Sequence, residues 1–247
     1  MNAILLAAGY GTRLYPLTKD RPKSLLPVGG RPIIDYLVER LSDAPEVERM
    51  FLVSNARFVG DFQRWASTCN FPKPVCIYSD GSTSNDDRLG AVADIQFVLD
   101  QADISDEGAY VLATDNLPRF DLTDIIALSR QKGASAVFAC PVANPEQLRR
   151  VGIAELDDAG RVVGFEEKPQ HPKSNLRVPP FYVYTPEAVA SVEAYLAEGL
   201  NPDAPGHFLE WLVPRCEVWA LRPAEGTYDI GTLDSYRAVC AEFERRA

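Results

Sequence analysis

Four times in its first 140 residues the chain passes from a short apolar run into a stretch with apolar residues at helical spacing. The runs are residues 2–8 (NAILLAA), 50–54 (MFLVS), 75–78 (VCIY) and 109–114 (AYVLAT). Runs this short, bounded by turn residues, suit strands covered on both faces. Helical spacing follows over residues 33–41, 58–67 and 89–101, and again near 122–132 ahead of ASAVFAC at 134–140. Parallel strands can be joined only by a crossover, usually a helix. The alternation therefore predicts an α/β fold with a doubly wound, mainly parallel sheet.

After residue 140 the pattern changes. VGIAEL, DDAG and RVVGF read as a hairpin over a tight turn, FYVYT and CEVWAL as further strands, and residues 186–198 and 233–246 as helices. No repeat, low-complexity tract or linker interrupts the chain. A single domain over 1–247 is predicted, in two halves that meet near residue 140, the second adding strands and a lid.

The chain of 247 residues carries a net charge of −10. That balance argues against nucleic acid or an anionic membrane as the main partner. Five scattered cysteines without a C-x-x-C pair suggest neither a disulfide framework nor a zinc site, and fit a reducing cytoplasm. The first apolar run begins beside Met1 with no basic region or cleavage site, so no signal peptide is expected, and no run reaches the 18 residues of a membrane span.

Charge is distributed differently at the N-terminus. Residues 1–31 hold Arg13, Lys19, Arg21, Lys23 and Arg31 against Asp20 alone. They surround Gly9-Tyr10-Gly11-Thr12-Arg13, which follows the first strand. In open α/β sheets ligands bind outside the carboxyl ends of strands, and glycine lets backbone N–H groups approach phosphate oxygens. Arg13 can grip phosphate with paired bonds, and Lys23 adds a compact charge. The segment is neither a Walker loop, lacking Gly-Lys-Ser/Thr, nor a dinucleotide fingerprint, since Leu14 replaces its third glycine.

The stretch from Leu6 to Val28 resembles, almost letter for letter, the signature L-A-A-G-x-G-T-R-L-x-P-L-T…P-K…L-P-V of the sugar-1-phosphate nucleotidyltransferases, the family of glucose-1-phosphate thymidylyltransferase. Three later segments match in order: VLATDN, RVGIAELDDAGRVVGFEEKP and TYDIGTLDSY. The resemblance implies a Rossmann-like nucleotidyltransferase fold, with nucleotide bound by about residues 1–140 and acceptor by about 141–247. It implies transfer of a nucleoside monophosphate from a triphosphate to a sugar 1-phosphate, with pyrophosphate released. Leu6, Ala8, Gly9, Gly11 and Thr12 then bind nucleotide, joined by Asn85 and Gly90 in the base-reading loop. Arg13, Lys23 and Asp115 are the catalytic candidates. Asn116, Gly152, Glu167 and Lys168 contact the acceptor, with Gly152 leaving room for the sugar, Glu167 accepting from its hydroxyls and Lys168 holding its phosphate. Asp115 and Asp229 share Mg²⁺, a cation that takes one or two carboxylates plus substrate phosphates.

Several positions depart from the pattern. Thr114 replaces a usual glycine, and Arg150 stands where tyrosine is common. Asn85 and Arg88 occupy places usual for Gln and Pro, and Val178-Pro179-Pro180 lies near a usual Thr-Gly. These leave the base and the acceptor open. NPDAPGHFLEWL (201–212) is a further candidate for the acceptor pocket, with His207 read as a surface or capping residue. Rival readings are a cytidylyltransferase for a phosphocholine-like or phosphonate acceptor, a non-catalytic nucleotide-sugar sensor, and an NAD-dependent oxidoreductase.

Overall fold

The computed structural model describes residues 1–228 and 230–245 of the chain. In chain order its strands are β1 Asn2–Leu6, β2 Pro27–Val28, β3 Arg31–Pro32, β4 Arg49–Ser54, β5 Val75–Ser79, β6 Ala109–Ala113, β7 Leu117–Pro118, β8 Ser135–Phe138, β9 Cys140–Pro141, β10 Gly152–Leu156, β11 Val162–Glu167, β12 Leu176–Arg177, β13 Phe181–Tyr184, β14 Val218–Leu221 and β15 Thr227–Tyr228. The α-helices are α1 Ile33–Asp43, α2 Val59–Thr68, α3 Ala91–Ala102, α4 Asp124–Lys132, α5 Pro145–Leu148, α6 Pro186–Ala197, α7 Pro205–Leu212 and α8 Leu233–Glu244.

The predicted alternation becomes a seven-stranded sheet in the order β14-β8-β13-β6-β1-β4-β5. Parallel pairing joins β6, β1, β4 and β5, while β13 runs antiparallel between β6 and β8. The C-terminal half therefore completes the sheet that the N-terminal half begins. Its remaining strands form a four-stranded antiparallel sheet, β11-β10-β12-β9, beside the first.

Strand alternation in β1 divides the core. Ala3 and Leu5 face a cluster with Leu37 and Val38 of α1 and Phe62 of α2. Ile4 faces the opposite cluster with Ile95 and Leu99 of α3. All three β1 residues are fully buried. Truncating such a leucine to alanine typically costs about 2–5 kcal/mol. A third cluster joins Leu14, Leu26 and Val28 to Ile230 and Val239, fastening the long loop after β1 to α8.

Two short-range devices shape that loop. Gly11 adopts φ +61°, a left-handed conformation disfavoured for residues with a Cβ. A Cβ there would also come within 3.3 Å of Thr18, whose hydroxyl donates to the Gly11 carbonyl at 2.8 Å. Thr232 caps α8 reciprocally with Ser235. Among the described residues, no helix is long and apolar enough to cross a membrane.

Candidate functional site

Strands β1 and β6 are in register, Leu6 opposite Ala113. The chain therefore leaves both at the same rim of the sheet. Thr114 ties the two exits together. Its hydroxyl donates to the Leu6 carbonyl at 2.9 Å, so its contact with Ser24 Oγ, 2.6 Å away, must be donated by the serine. Ser24 adjoins Lys23, and Lys23 Nζ lies 2.6 Å from Asp115 Oδ2. The departure at Thr114 thus has a structural use: it anchors the turn that delivers the lysine.

Asp115 is pulled in two directions. Burial raises its pKa, but the Lys23 ammonium outweighs that and holds the carboxyl below the usual range. Asn116 donates to the other carboxylate oxygen at 2.8 Å.

These groups open onto a cleft of about 520 Å³. Leu6, Ala8, Gly9, Gly11, Thr12, Asn85 and Gly90 all line it, together with Arg13, Lys23 and Asp115. Gly9 has open space where a side chain would begin. A residue the sequence reading missed, Asn55, holds this rim: its amide donates to the Ala8 carbonyl at 2.8 Å and accepts from Phe58 N at 3.0 Å.

At the far end, Asp87 accepts from the backbone N–H groups of Thr83 and Ser84, which keeps its carboxyl well below the usual range and closes the 83–87 loop. Arg88 bonds the Asn85 carbonyl at 2.8 Å and pairs with Asp203 at 2.8 Å. Gly90, φ +96°, has Pro202 O 2.6 Å from where its Cβ would stand. Residues 202–203 therefore cap the N-terminus of α3, accepting from Ala91 and Val92. The 201–212 candidate divides: Asp203 lines this cleft, and Pro205–Leu212 form α7, which lines neither recess. His207 is partly buried, with Nε2 3.2 Å from Asn201 Nδ2.

Asp94, which the sequence reading also passed over, lies in the same cleft at 5% exposure. Burial first, then the neighbouring Asp80 carboxylate, push its pKa up to about 8. Its Oδ1 has no donor partner among the described residues. At neutral pH this side chain is largely a neutral acid, able to donate as well as accept.

A second recess of about 310 Å³ shares Arg13, Lys23 and Asp115 with the first. Asn116, Arg150 and Arg177 join them there, and Val178-Pro179-Pro180 form an apolar wall, the segment the sequence marked as altered. The other three acceptor candidates are not brought to it. Gly152 faces the protein's own interior: a Cβ would overlap the Phe165 ring and approach Glu167 Oε2 to 2.8 Å, so its space is already filled. Glu167 has a side chain only 9% exposed and lies against Gly206 of α7. Burial, the dominant influence, raises its pKa. Lys168 is exposed beside it, 3.6 Å from Glu167 Oε1. Alternation along β11 explains the placement, because Glu167 shares a face with the core residue Phe165.

Asp229, the second metal candidate, lies outside the described residues. Its neighbours flank the site: Tyr228 pairs with Leu117, two residues beyond Asp115, and Ile230 and Gly231 line the second recess. Among the described residues, no group of three or more His, Cys, Asp or Glu side chains could hold a metal.

A glycine-rich turn, an arginine and a lysine–aspartate pair stand together at the carboxyl rim of the parallel part of an α/β sheet, where ligands of such folds bind. The family profile described as nucleotidyl transferase matches residues 2–246, and the chain belongs to that family. It is 33% identical over 179 residues to the bifunctional protein GlmU of Methanocaldococcus jannaschii, covering 71% of this chain and 38% of that one. It is 29% identical over 212 residues to a glucose-1-phosphate thymidylyltransferase of an Actinoplanes species, covering 83% and 63%. The chain thus spans less than two thirds of either relative. The fold superposes on a UDP-glucose pyrophosphorylase solved with UDP-glucose at a TM-score of 0.80 and 22% identity, over 100% of this chain and 99% of the other.

Proposed function

We propose that the protein transfers a nucleoside monophosphate from a nucleoside triphosphate to a sugar 1-phosphate, releasing pyrophosphate and forming a nucleotide sugar. The observation that carries this reading is the junction of two recesses at Arg13, Lys23 and Asp115. A donor in the larger recess and an acceptor in the smaller would meet there. The name of the Actinoplanes relative, a glucose-1-phosphate thymidylyltransferase, supports the same chemistry.

An acceptor phosphate oxygen is already an anion and needs no general base to attack the α-phosphorus. Catalysis then consists of alignment and charge neutralisation. Arg13 stabilises the triphosphate as charge moves onto departing pyrophosphate. Lys23, fixed by Asp115, sits where both substrates' phosphates converge. The backbone at Gly9 and Gly11 admits phosphate oxygens without side-chain obstruction.

Asp115 suits Mg²⁺ as a hard, ionised oxygen ligand at this junction, and Asp229 is the proposed second carboxylate. The ion would neutralise phosphate charge there. Its requirement is tested by adding a chelator and restoring activity with Mg²⁺. The reaction itself is tested by pyrophosphate release with four triphosphates and a panel of phosphorylated acceptors. Triphosphate-dependent release with at least one acceptor is expected; none with any pair would refute it.

A further inference from the structure

The second recess is unusually cationic for a chain of net charge −10. Arg13, Lys23, Arg150 and Arg177 line it, against Asp115 as the acid among its described lining residues. Asp115 is committed to Lys23 at 2.6 Å. Arg13 lies at the junction and serves the triphosphate. Arg150 and Arg177 are left without a carboxylate partner among the described residues. Arg177 is half-buried on β12 and donates to the Thr227 hydroxyl, so its guanidinium is held in place. Arg150 precedes β10, where the family resemblance leads one to expect a tyrosine.

Among the described lining residues, Asn116, Gln147 and Thr232 supply neutral polar groups beside the arginines, but Asp115 is the one carboxylate. Sugar hydroxyls are commonly fixed by carboxylates or amides that accept from them. Glu167 is turned onto Gly206, and the Asn116 amide donates to Asp115, leaving its oxygen as an acceptor. The opposite wall includes Pro179 and Pro180, which offer no backbone N–H. Guanidinium groups are matched to carboxylate and phosphate oxygens, which accept two parallel bonds.

We propose that Arg150 and Arg177 form a subsite for a second anionic group on the acceptor, set apart from the phosphate that attacks the nucleotide. The preferred acceptor class is then a phosphorylated molecule with an additional carboxylate or phosphate, such as a sugar acid 1-phosphate or a sugar bisphosphate. This rests on the transferase reading above and narrows its substrate.

Three acceptors that differ only at carbon 6 provide the test: glucose 1-phosphate, glucuronic acid 1-phosphate and glucose 1,6-bisphosphate. Pyrophosphate release is measured for each with the best triphosphate. The intact protein should favour at least one of the two doubly anionic acceptors by roughly 10- to 100-fold in kcat/KM, the usual worth of a hydrogen bond to a charged group. Whichever is preferred identifies a carboxylate or a phosphate as the second anion. Arg150→Gln, at an exposed turn, and Arg177→Gln should each shrink that preference by about 10-fold. Because the readout is a ratio within one preparation, loss of folded protein does not mimic it. No preference in the intact protein, or equal losses on all three acceptors in the variants, would overturn the subsite and assign the arginines to the reacting phosphate. Pyrophosphate release with any acceptor would still leave the transferase reading standing, so the two failures are distinct.

Discussion

The two banks of the cleft were encoded differently. On the β1 side, every nucleotide candidate drawn from the glycine-rich segment and the base-reading loop lines one recess. On the β10–β11 side, Gly152, Glu167 and Lys168 keep their places in the chain, yet the recess is lined instead by Arg150 and Arg177. The first bank works largely through backbone and through side chains on one continuous loop, so matching the letters comes close to matching the geometry. The second works through side chains on strand ends, where one residue of alternation or one rotamer turns a group from cleft to core.

The largest expected effect tests the first bank. Arg13→Ala should lower kcat by about 10²- to 10³-fold, the usual loss for a charged donor to the transition state. A change confined to the triphosphate KM would make Arg13 a binding residue only, and the contrast between the banks would weaken.

Asp94 gives a pH signature on the same bank. Its pKa is raised from 3.8 to about 8 in the folded protein, so between those values the folded state holds a proton the unfolded chain has lost. Its stabilising contribution is therefore complete below about pH 4 and disappears as pH rises to 8, by up to about 1.4 kcal/mol per pH unit. Urea unfolding of Asp94→Asn should show a shallower decline over this range. Identical slopes in the two proteins would mean that Asp94 titrates normally.

The second bank is probed by Gly206→Ala. The added methyl would overlap Glu167 Oε2 and force that buried carboxylate aside. A loss of about 1–3 kcal/mol in unfolding free energy is expected, as for other overpacked sites. If stability holds and the ranking of acceptors changes instead, Glu167 serves the acceptor after all. A smaller effect is expected for Thr114→Val, which breaks the Leu6–Thr114–Ser24 chain: about 1 kcal/mol of stability, with Thr114→Ser restoring most of it. Full retention of stability in the valine variant would remove the bridge from the account of how Lys23 is placed.

Local signals made the architecture readable. Apolar runs of strand length, separated by helical spacing, fixed β1, β4, β5 and β6 in type and closely in extent. FYVYT was equally clear as a strand, but its position between β6 and β8 was not, because periodicity reports a strand's covered faces and not its neighbours. Helix α7 went unassigned within the 201–212 segment, although proline at the first helical position and the apolar Phe208, Leu209 and Leu212 were available signals. Asn55 had no comparable signal, since a lone amide after a strand acquires its role only when Ala8 is folded against it. Arg177 was legible as a charge and illegible as a site, because nothing local connects it to Arg13.

The antiparallel insertion of β13 has a consequence for synthesis on the ribosome. While residues 1–140 emerge, β6 and β8 exist with no partner between them, since the strand that hydrogen-bonds to both comes only at 181–184. With β14 also still to come, a nascent chain in that condition presents three unsatisfied strand edges, one on β6 and two on β8, rich in Ala and Val, the kind of surface that pairs with other chains or is shielded by a chaperone. Any release of the polypeptide before Tyr184 would leave these edges permanently open, so the burden of solubility falls on the last hundred residues as much as the chemistry does.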